Sequence, residues 1–230
     1  MTSPVVKRWP YTISSKVGLI DTHCHLDFLF RRTAHHSSYA QFRTRNSETF
    51  PTCYEGCVAV FCDPATFKKR HVWEGLLSED GVWAAFGCHP HMARQYDEDI
   101  DDDLIAALEQ PSVVALGEIG LDYSSKNNCD RALQQRVFRH QLKLGRNGRL
   151  PIVIHSRDSS MDTLRILKEL WMDTFPKLCL GLTPLVGFPN AGPVAEVGRK
   201  IPLDRLLLET DAPYFLPKSV RVNLLISSYG

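Results

Sequence analysis

The sequence of 230 residues predicts an α/β fold, namely a (β/α) TIM-type barrel that is incomplete and has about seven strands. Short runs of Val, Ile and Leu recur along the chain, and such runs are typical of strands buried on both faces of a parallel sheet. Helical patterns separate them, which indicates repeated βα units. Histidines and carboxylates follow several of the runs, and barrel enzymes carry their chemistry at these strand ends. The barrel is therefore favoured over a doubly wound sheet.

The predicted strands share a short length and an apolar composition. In chain order they are Leu19–Asp21, Gly56–Phe61, Val82–Gly87, Val113–Gly117, Ile152–Ile154, Leu178–Leu182 and Leu206–Leu208.

Three helices are predicted between the strands from apolar residues spaced three and four apart. Two of them cover Asp99–Leu108 and Arg131–Leu144. The third begins after Ser159 or Ser160, whose hydroxyl can cap it, and it extends through Trp171.

The segment Phe28–Glu55 is predicted to be long and irregular, and it combines cations with aromatic rings. Its arginines and aromatic residues include Arg31, Arg32, Arg43, Arg45, Tyr39, Phe42 and Phe50. Such a mixture can contact a polyanionic single strand. An ordinary surface insertion is the other interpretation of this composition.

The charge balance excludes a protein that binds nucleic acid through a strong overall basic field, since 27 Lys and Arg oppose 26 Asp and Glu. An enzyme that grips nucleic acid through metals and a local groove stays compatible with it. No stretch approaches the roughly 20 apolar residues of a membrane span, so no membrane partner is predicted. The oligomeric state is left open.

The cysteine content bears on the compartment. Seven cysteines, an odd number, occur in a chain whose first segment, Met1–Lys16, lacks the apolar core of a signal peptide. We therefore expect free thiols and an intracellular protein, nuclear or cytoplasmic.

A His-x-His pair follows the first predicted strand. Side chains two residues apart on a strand point to the same face, so His23 and His25 are expected to lie side by side. Two neighbouring imidazoles suit a divalent metal, although two surface histidines are the alternative for an isolated pair.

Four further strand ends carry side chains of the same chemistry. His89 follows the third strand, Glu118 the fourth, His155 and Arg157 the fifth, and Asp211 the last. We expect His23, His25, Glu118, His155 and Asp211 to converge at the carboxyl end of the barrel strands.

Five phrases carry these residues, and their order along the chain is informative. They are Asp-Thr-His-Cys-His-Leu-Asp, Gly-Cys-His-Pro-His, Gly-Glu-Ile-Gly-Leu-Asp-Tyr, Ile-His-Ser-Arg and Glu-Thr-Asp-Ala-Pro-Tyr. In this order they resemble the TatD-type metal-dependent deoxyribonucleases, a branch of the metallo-hydrolase barrel superfamily. The resemblance implies an N-terminal extension over 1–17, a barrel domain over 18–217 and an atypical tail over 218–230.

The resemblance also implies roles for the matching residues. A first metal would be held by His23, His25, Glu118 and Asp211, and Glu118 would bridge to a second metal bound by His155. His89 and Arg157 would hold the scissile phosphate, and Asp211 would orient or deprotonate the attacking water. The implied activity is hydrolysis of phosphodiester bonds in DNA, with RNA as a further substrate. The cofactors would be divalent ions, Mg²⁺ first and Mn²⁺ or Zn²⁺ as alternatives, two per chain in the family.

Two departures from the family pattern leave other interpretations open. The sixth strand of the family ends in a His-Cys-Phe-Thr-Gly phrase, whereas no histidine follows His155 here, and only 19 residues follow Asp211. A splice-type isoform with one metal and little or no activity, acting as a metal- or partner-binding domain, is therefore an alternative. A metallo-phosphoesterase of the polymerase-and-histidinol-phosphatase type also begins with His-x-His, but the Gly-Glu-Ile-Gly-Leu-Asp phrase argues against it.

Overall fold

The computed structural model describes residues 17–171, 178–188 and 190–215, which divide between two compact units. Unit 1 contains the chain up to Cys57 and again from Cys179, and unit 2 contains Val58–Leu178. Apart from Val17, the predicted N-terminal extension and C-terminal tail lie outside the described residues. The domain limits drawn from the sequence therefore stay a prediction.

Seven strands and seven α-helices lie in the described part of the chain. The strands are β1 (Leu19–Cys24), β2 (Tyr54–Phe61), β3 (Val82–Phe86), β4 (Val113–Asp122), β5 (Ile152–Arg157), β6 (Leu180–Leu182) and β7 (Leu206–Leu208). The helices are α1 (Leu26–Thr33), α2 (Tyr39–Arg45), α3 (Arg70–Leu77), α4 (Glu98–Leu108), α5 (Arg131–Gly148), α6 (Ser160–Trp171) and α7 (Gly192–Lys200). Short 3₁₀ segments cover Ser47–Thr49, Pro64–Thr66, Pro90–Gln95, Pro184–Gly187 and Leu203–Arg205.

Two sheets organise the strands. Strands β1 to β5 follow one another in chain order in the first sheet, and β6 pairs with β7 in the second. Strand β4 is parallel to both β3 and β5, and β6 is parallel to β7. Parallel neighbours joined through helices are the βα units expected from the sequence.

The core of unit 2 lies where α5 and α6 pack on β4. Three residues of β4 are buried there with Phe138 and Leu142, which lie four residues apart and therefore on one face of α5. The fully buried members of this cluster are Leu116, Ile119, Leu121, Phe138, Leu142 and Ile166. Burial of each such side chain contributes roughly 1.5–3 kcal/mol, so this cluster holds β4 and its polar residues in a fixed position.

Hydrogen bonds join the carboxyl end of β1 to the residues around the end of β7 in unit 1. The Thr22 hydroxyl donates to the Leu208 carbonyl at 3.0 Å, and the Asp211 amide donates to the His23 carbonyl at 2.9 Å. The His25 amide donates to the carbonyl of Ala212 at 2.7 Å. These bonds place the first and last predicted site segments side by side.

Three strands extend further than their apolar runs predict. Strand β1 continues to Cys24, β4 to Asp122 and β5 to Arg157. Backbone pairing does not require apolar side chains, so several polar residues expected after these strands lie within them, namely His23, Glu118, His155 and Arg157, while His25 directly follows β1.

The expectation of an irregular segment over Phe28–Glu55 is wrong, since it contains most of α1, all of α2 and a 3₁₀ turn. Helix α2 begins where the Ser38 side chain accepts a hydrogen bond from the Gln41 amide. Ser followed three residues later by Gln is a capping-box pattern, and this pattern in the sequence indicates the start of α2.

Two further predictions concern the state of the cysteines and the lack of a membrane span. None of the seven cysteines, all of which lie among the described residues, forms a disulfide. No helix of the described ranges is long and apolar enough to cross a membrane.

Candidate metal centre

Three predicted metal ligands come together in unit 1. His25 Nε2 lies 3.2 Å from Asp211 Oδ1 and 3.3 Å from His23 Nε2, and His23 Nε2 lies 3.8 Å from the same Asp211 oxygen. His23 and His25 are 6% and 3% exposed, so bulk water has little access to their ring nitrogens. We call His23, His25 and Asp211 the β1/β7 cluster.

Asp21 accepts hydrogen bonds from both chain segments that carry this cluster. Its Oδ1 accepts hydrogen bonds from the amides of His23 and Thr210, and its Oδ2 accepts from the Thr210 hydroxyl. Burial raises the pKa of Asp21, although the hydrogen bonds from Thr210 and His23 oppose that rise. Because one carboxylate holds both chain segments, it fixes the spacing between the two histidines and Asp211.

Glu209 is a neighbour of the cluster that sequence reasoning did not select. Its Oε2 lies 3.9 Å from His23 Nδ1, on the side of the ring away from Asp211. This distance is too long for a hydrogen bond, so Glu209 contributes negative charge beside the His23 ring. Its place directly after the last predicted strand, two residues before Asp211, was the available signal.

A second cluster lies in unit 2 and contains His89, Glu118 and His155. One potential ligand atom of each residue lies within 4.8 Å of the others. His155 Nδ1 lies 2.9 Å from Glu118 Oε1, and the centroids of the His89 and His155 rings are 4.6 Å apart. We call these three residues the β4/β5 cluster.

Asp122 orients the β4/β5 cluster and was missed as a site residue. Its Oδ2 lies 2.9 Å from His91 Nε2 and 3.1 Å from His155 Nε2, and its Oδ1 accepts from the Ser124 amide. Although burial opposes its charge, the hydrogen bonds from Ser124, His91 and His155 hold the pKa of Asp122 well below its usual range. Asp122 lies four residues after Glu118 on one strand and so on the same face, which was the missed signal.

His155 lies between two carboxylates. Burial disfavours its charged form, but hydrogen bonds with Glu118 and Asp122 outweigh burial and raise the pKa of His155 above its ordinary value. A carboxylate only accepts hydrogen bonds, so Glu118 favours a proton on Nδ1 and Asp122 favours one on Nε2. A cation held together with Glu118 would take the place of the Nδ1 proton, while Asp122 would keep the proton on Nε2.

His89 has a different hydrogen-bonding state. Its Nδ1 accepts a hydrogen bond from the His91 amide at 3.2 Å, as the N-cap of the 3₁₀ segment Pro90–Gln95. An accepting Nδ1 carries no proton, so the neutral ring carries its proton on Nε2. His89 therefore offers a hydrogen-bond donor, which suits a phosphate oxygen better than a metal.

Two glycines of β4 allow β5 to approach closely. Gly120 lies opposite His155 in the register, and a Cβ on Gly120 would lie 2.0 Å from the His155 carbonyl oxygen. A Cβ on Gly117 would lie 2.5 Å from Val153 Cβ. Both glycines have positive φ values, 147° and 156°, that other residues rarely adopt. The Gly-x-x-Gly spacing thus places His155 between Glu118 and Asp122.

Arg157, the remaining predicted site residue, lies opposite Asp122 in the register of β4 and β5. Its Nη1 lies 4.0 Å from Asp122 Oδ2, and its side chain is partly exposed. The structure thus places His23, His25 and Asp211 together in unit 1, and His89, Glu118, His155 and Arg157 near one another in unit 2. Imidazole and carboxylate donors fit a divalent cation in either cluster, and they are buried for His23 and His25 and partly buried for the other members.

Comparison with known proteins identifies relatives over most of the chain. The family model described as TatD related DNase matches residues 20–180 and 171–228. The human protein named 3'-5' RNA nuclease TATDN2 is 40% identical over 232 residues, which cover 92% of this chain. The chain spans only 30% of that human protein's length.

Bacterial relatives match over a larger share of their own length. The Escherichia coli K12 protein named uncharacterized metal-dependent hydrolase YcfH is 32% identical over 221 residues, covering 86% of this chain and 79% of the relative. The Citrobacter koseri protein named 3'-5' ssDNA/RNA exonuclease TatD is 33% identical over 159 residues, 60% of either chain.

Solved structures agree on the fold class. YJJV, a TatD homologue from Escherichia coli K12, has a TM-score of 0.69 at 26% identity, over 85% of this chain and 80% of that one. A TatD-family hydrolase from Entamoeba histolytica has a TM-score of 0.68 at 23% identity, over 86% and 75% of the two chains, and shows the fold alone. The predicted α/β fold, an incomplete TIM barrel, is confirmed. The chain matches this family over most of its length, and it belongs to the TatD family of metal-dependent hydrolases.

Proposed function

We propose that this chain is a nuclease that hydrolyses phosphodiester bonds with the help of divalent cations. The observation that carries the proposal is His155, a partly buried imidazole held between Glu118 and Asp122 with Nδ1 directed to a carboxylate. Relatives named as an RNA nuclease and as ssDNA/RNA exonucleases support nucleic acid as the substrate class. DNA is the substrate predicted from the sequence, and RNA is the one to compare with it.

The proposed ligands are His23, His25 and Asp211 in unit 1, and Glu118 and His155 in unit 2. Bound divalent cations would neutralise phosphate charge and lower the pKa of an attacking water. Mg²⁺ is the first expectation, and imidazole donors also suit Mn²⁺ and Zn²⁺.

Three side chains are proposed to act on the substrate itself. The Asp211 carboxylate, 3.2 Å from His25, can orient the attacking water or accept its proton. The planar guanidinium of Arg157 can donate two parallel hydrogen bonds to phosphate oxygens. His89 donates a further hydrogen bond from Nε2, since its Nδ1 accepts from the His91 amide.

The test is cleavage of end-labelled single-stranded DNA and RNA of one sequence by chelated protein, before and after Mg²⁺, Mn²⁺ or Zn²⁺ is returned. The chelated protein should be inactive and the reloaded protein active.

His25→Asn and His155→Asn should lower cation affinity at least about 10-fold, since each removes a ligand. The control is His140→Asn, because His140 is half-exposed on α5, contacts Asp101 and belongs to neither cluster. Cleavage by chelated protein, or none with any cation, would refute the proposal.

A second candidate is a weakly active or inactive isoform that binds one cation. The sequence has no histidine after His155, and β6 ends at Leu182 before a 3₁₀ segment that contains none. One bound cation per chain together with very slow cleavage would favour this candidate. Two bound cations with rapid cleavage would favour the nuclease.

A further inference from the structure

We propose that Tyr214 is a stacking surface for one nucleobase of a single-stranded substrate, beside the β1/β7 cluster in unit 1. This inference rests on the proposed nuclease function and names a part of its substrate-binding site. Base stacking on an aromatic ring tolerates any sequence, because every base has a π-face.

The position of the Tyr214 ring carries the argument. Tyr214 is 46% exposed, whereas His25 beside it is only 3% exposed. Its centroid lies 5.7 Å from the ring of His25, at an interplanar angle of 82°. Because His25 is a proposed metal ligand, a base stacked on Tyr214 belongs to a nucleotide at or next to the hydrolysed bond.

One further contact holds the Tyr214 ring in place. The Phe28 ring meets it edge to face at 81°, with centroids 6.4 Å apart, and Phe28 is itself held by stacking on His25 at 5.3 Å. Aromatic rings prefer such edge-to-face and stacked arrangements. The ring is therefore oriented before a base arrives, which lowers the entropy cost of binding.

The backbone of Tyr214 is fixed to the same cluster. Its amide donates to the Asp211 carbonyl at 2.7 Å, which closes a tight turn over 211–214. Within that turn the Ala212 carbonyl accepts from the His25 amide, also at 2.7 Å. The ring and the ligands His25 and Asp211 therefore belong to one hydrogen-bonded piece of backbone.

Two arginines of α1 supply positive charge next to the ring. The Arg31 guanidinium carbon lies 5.0 Å from the centroid of Phe28, and Arg32 Nη1 donates to the Pro213 carbonyl at 2.9 Å. Both arginines are exposed. Cations beside an aromatic ring are the arrangement that binds the backbone and bases of single strands.

The other aromatic residues of the segment Phe28–Glu55 are structural. Phe42 packs against Phe30, His35 and Phe50, and the Arg43 guanidinium lies over Phe50 and Tyr54 and donates to the Tyr54 carbonyl. The two interpretations of this segment therefore apply to different parts of it. The part beside Tyr214 suits nucleic acid, and the remainder is an ordinary packed insertion.

Binding is tested first, with oligothymidylate that carries 2-aminopurine at its last or penultimate 3′ position. Stacking on Tyr214 should quench the probe at one of these positions in the wild-type protein and in Tyr214→Phe or Tyr214→Trp. Tyr214→Leu, which keeps the apolar volume without the ring, should lose the quenching. Quenching at neither position, or equal quenching in Tyr214→Leu, overturns the proposal.

Catalysis is tested second, at saturating Mn²⁺ and with Mn²⁺ affinity measured separately for each variant. Tyr214→Leu should raise KM about 5- to 150-fold for a thymidine substrate, with little change in kcat. The matched substrate has 5,6-dihydrothymidine at the probed position, since its saturated ring stacks poorly, and its KM should not change. An equal effect on both substrates would assign Tyr214 a purely structural role.

The two proposals fail in different ways. If the wild-type protein binds the probe and quenches it but cleaves no substrate with any cation, the nuclease proposal fails and the stacking surface stands. If cleavage proceeds and Tyr214→Leu changes neither quenching nor KM, the nuclease proposal stands and the stacking surface fails.

Discussion

At the scale of single residues, Asp122 determines which nitrogen of His155 is available. Its carboxylate is fully buried and accepts from the Ser124 amide through Oδ1, while Oδ2 faces the Nε2 atoms of His91 and His155. Such a carboxylate stabilises the tautomer whose proton is on Nε2, and it leaves Nδ1 toward Glu118.

Asp122→Asn should weaken cation binding without removing a direct ligand. If the amide oxygen keeps the bond to Ser124, the NH₂ group faces His155 Nε2 and favours a proton on Nδ1, which then cannot ligate. We expect Mn²⁺ affinity, measured by titration calorimetry, to fall about 10- to 100-fold. The control Asp102→Asn, on the exposed side of α4, should leave it unchanged. Equal affinities for Asp122→Asn and the wild type would show that Asp122 does not set the tautomer.

His89→Asn distinguishes the hydrogen bond that His89 accepts from the His91 amide from the one that it is proposed to donate to phosphate. Asparagine is a good N-cap, so it can still accept from the His91 amide, but it lacks the distal N–H. We expect unchanged Mn²⁺ affinity and a fall in kcat of about 10²-fold, as for the loss of one donor to a developing negative charge. A drop in Mn²⁺ affinity with His89→Asn would instead assign His89 as a metal ligand.

At the scale of secondary structure, the close approach of β4 and β5 predicts a severe effect of Gly120→Ala. The added Cβ would collide with the His155 carbonyl at a positive φ value. We expect a loss of about 1–3 kcal/mol in the free energy of unfolding, measured in urea, together with weaker cation binding. Gly75→Ala is the matched control, because nothing lies within 4 Å of its Cβ in α3. It should be neutral or stabilise by about 0.5–1 kcal/mol. Equal stability of the two variants would mean that β5 can shift at no cost.

The elements predicted best from the sequence are those with a single strong signal. Continuous apolar runs located all seven strands of the described ranges. Burial accounts for such runs in β2, β3 and β4, whereas Leu207 and Leu208 of β7 are exposed. The carboxyl ends of β1, β4 and β5 were underestimated, because the polar side chains needed for chemistry interrupt the hydrophobic pattern while backbone pairing continues. Helix α2 was missed because tertiary packing of its aromatic residues, together with the Ser38 cap, stabilises a sequence of modest helix propensity.

The site residues that could be predicted from the sequence are those whose side-chain type and position at a strand end indicate metal binding. His23, His25 and His155 were selected because imidazoles at strand ends suit metals, and the structure places each beside a carboxylate. Among the carboxylates, Glu118 and Asp211 were selected because the family resemblance assigns them as ligands, whereas it assigns no role to Asp122 and Glu209 in the same phrases. The tautomer of His89 depends on a hydrogen bond to the His91 amide, which only the folded backbone reveals.

At the scale of the whole molecule, the lack of a histidine after His155 predicts how tightly two cations bind. We expect one tightly bound divalent ion per chain by elemental analysis, and a second that binds weakly because only Glu118 and His155 are proposed to hold it. A chain that carries the family's sixth βα unit after α6, at a point outside the described residues, should bind a second ion and cleave faster. The same insert with its histidine replaced by alanine is the control. Two ions in the unmodified chain would show that another residue replaces the missing histidine.

The pairing of β4 with β5 has a consequence for how preparations of this protein should be judged. A slip of one residue between these strands would turn His155 to the opposite face and separate it from Glu118 and Asp122. Such a chain could keep its helices, its compactness and much of its spectroscopic signature. The number of bound metal ions per chain therefore reports on strand register and should be measured on each chromatographic fraction. A metal-poor fraction would contain misaligned chains whose circular dichroism spectrum resembles that of the native protein.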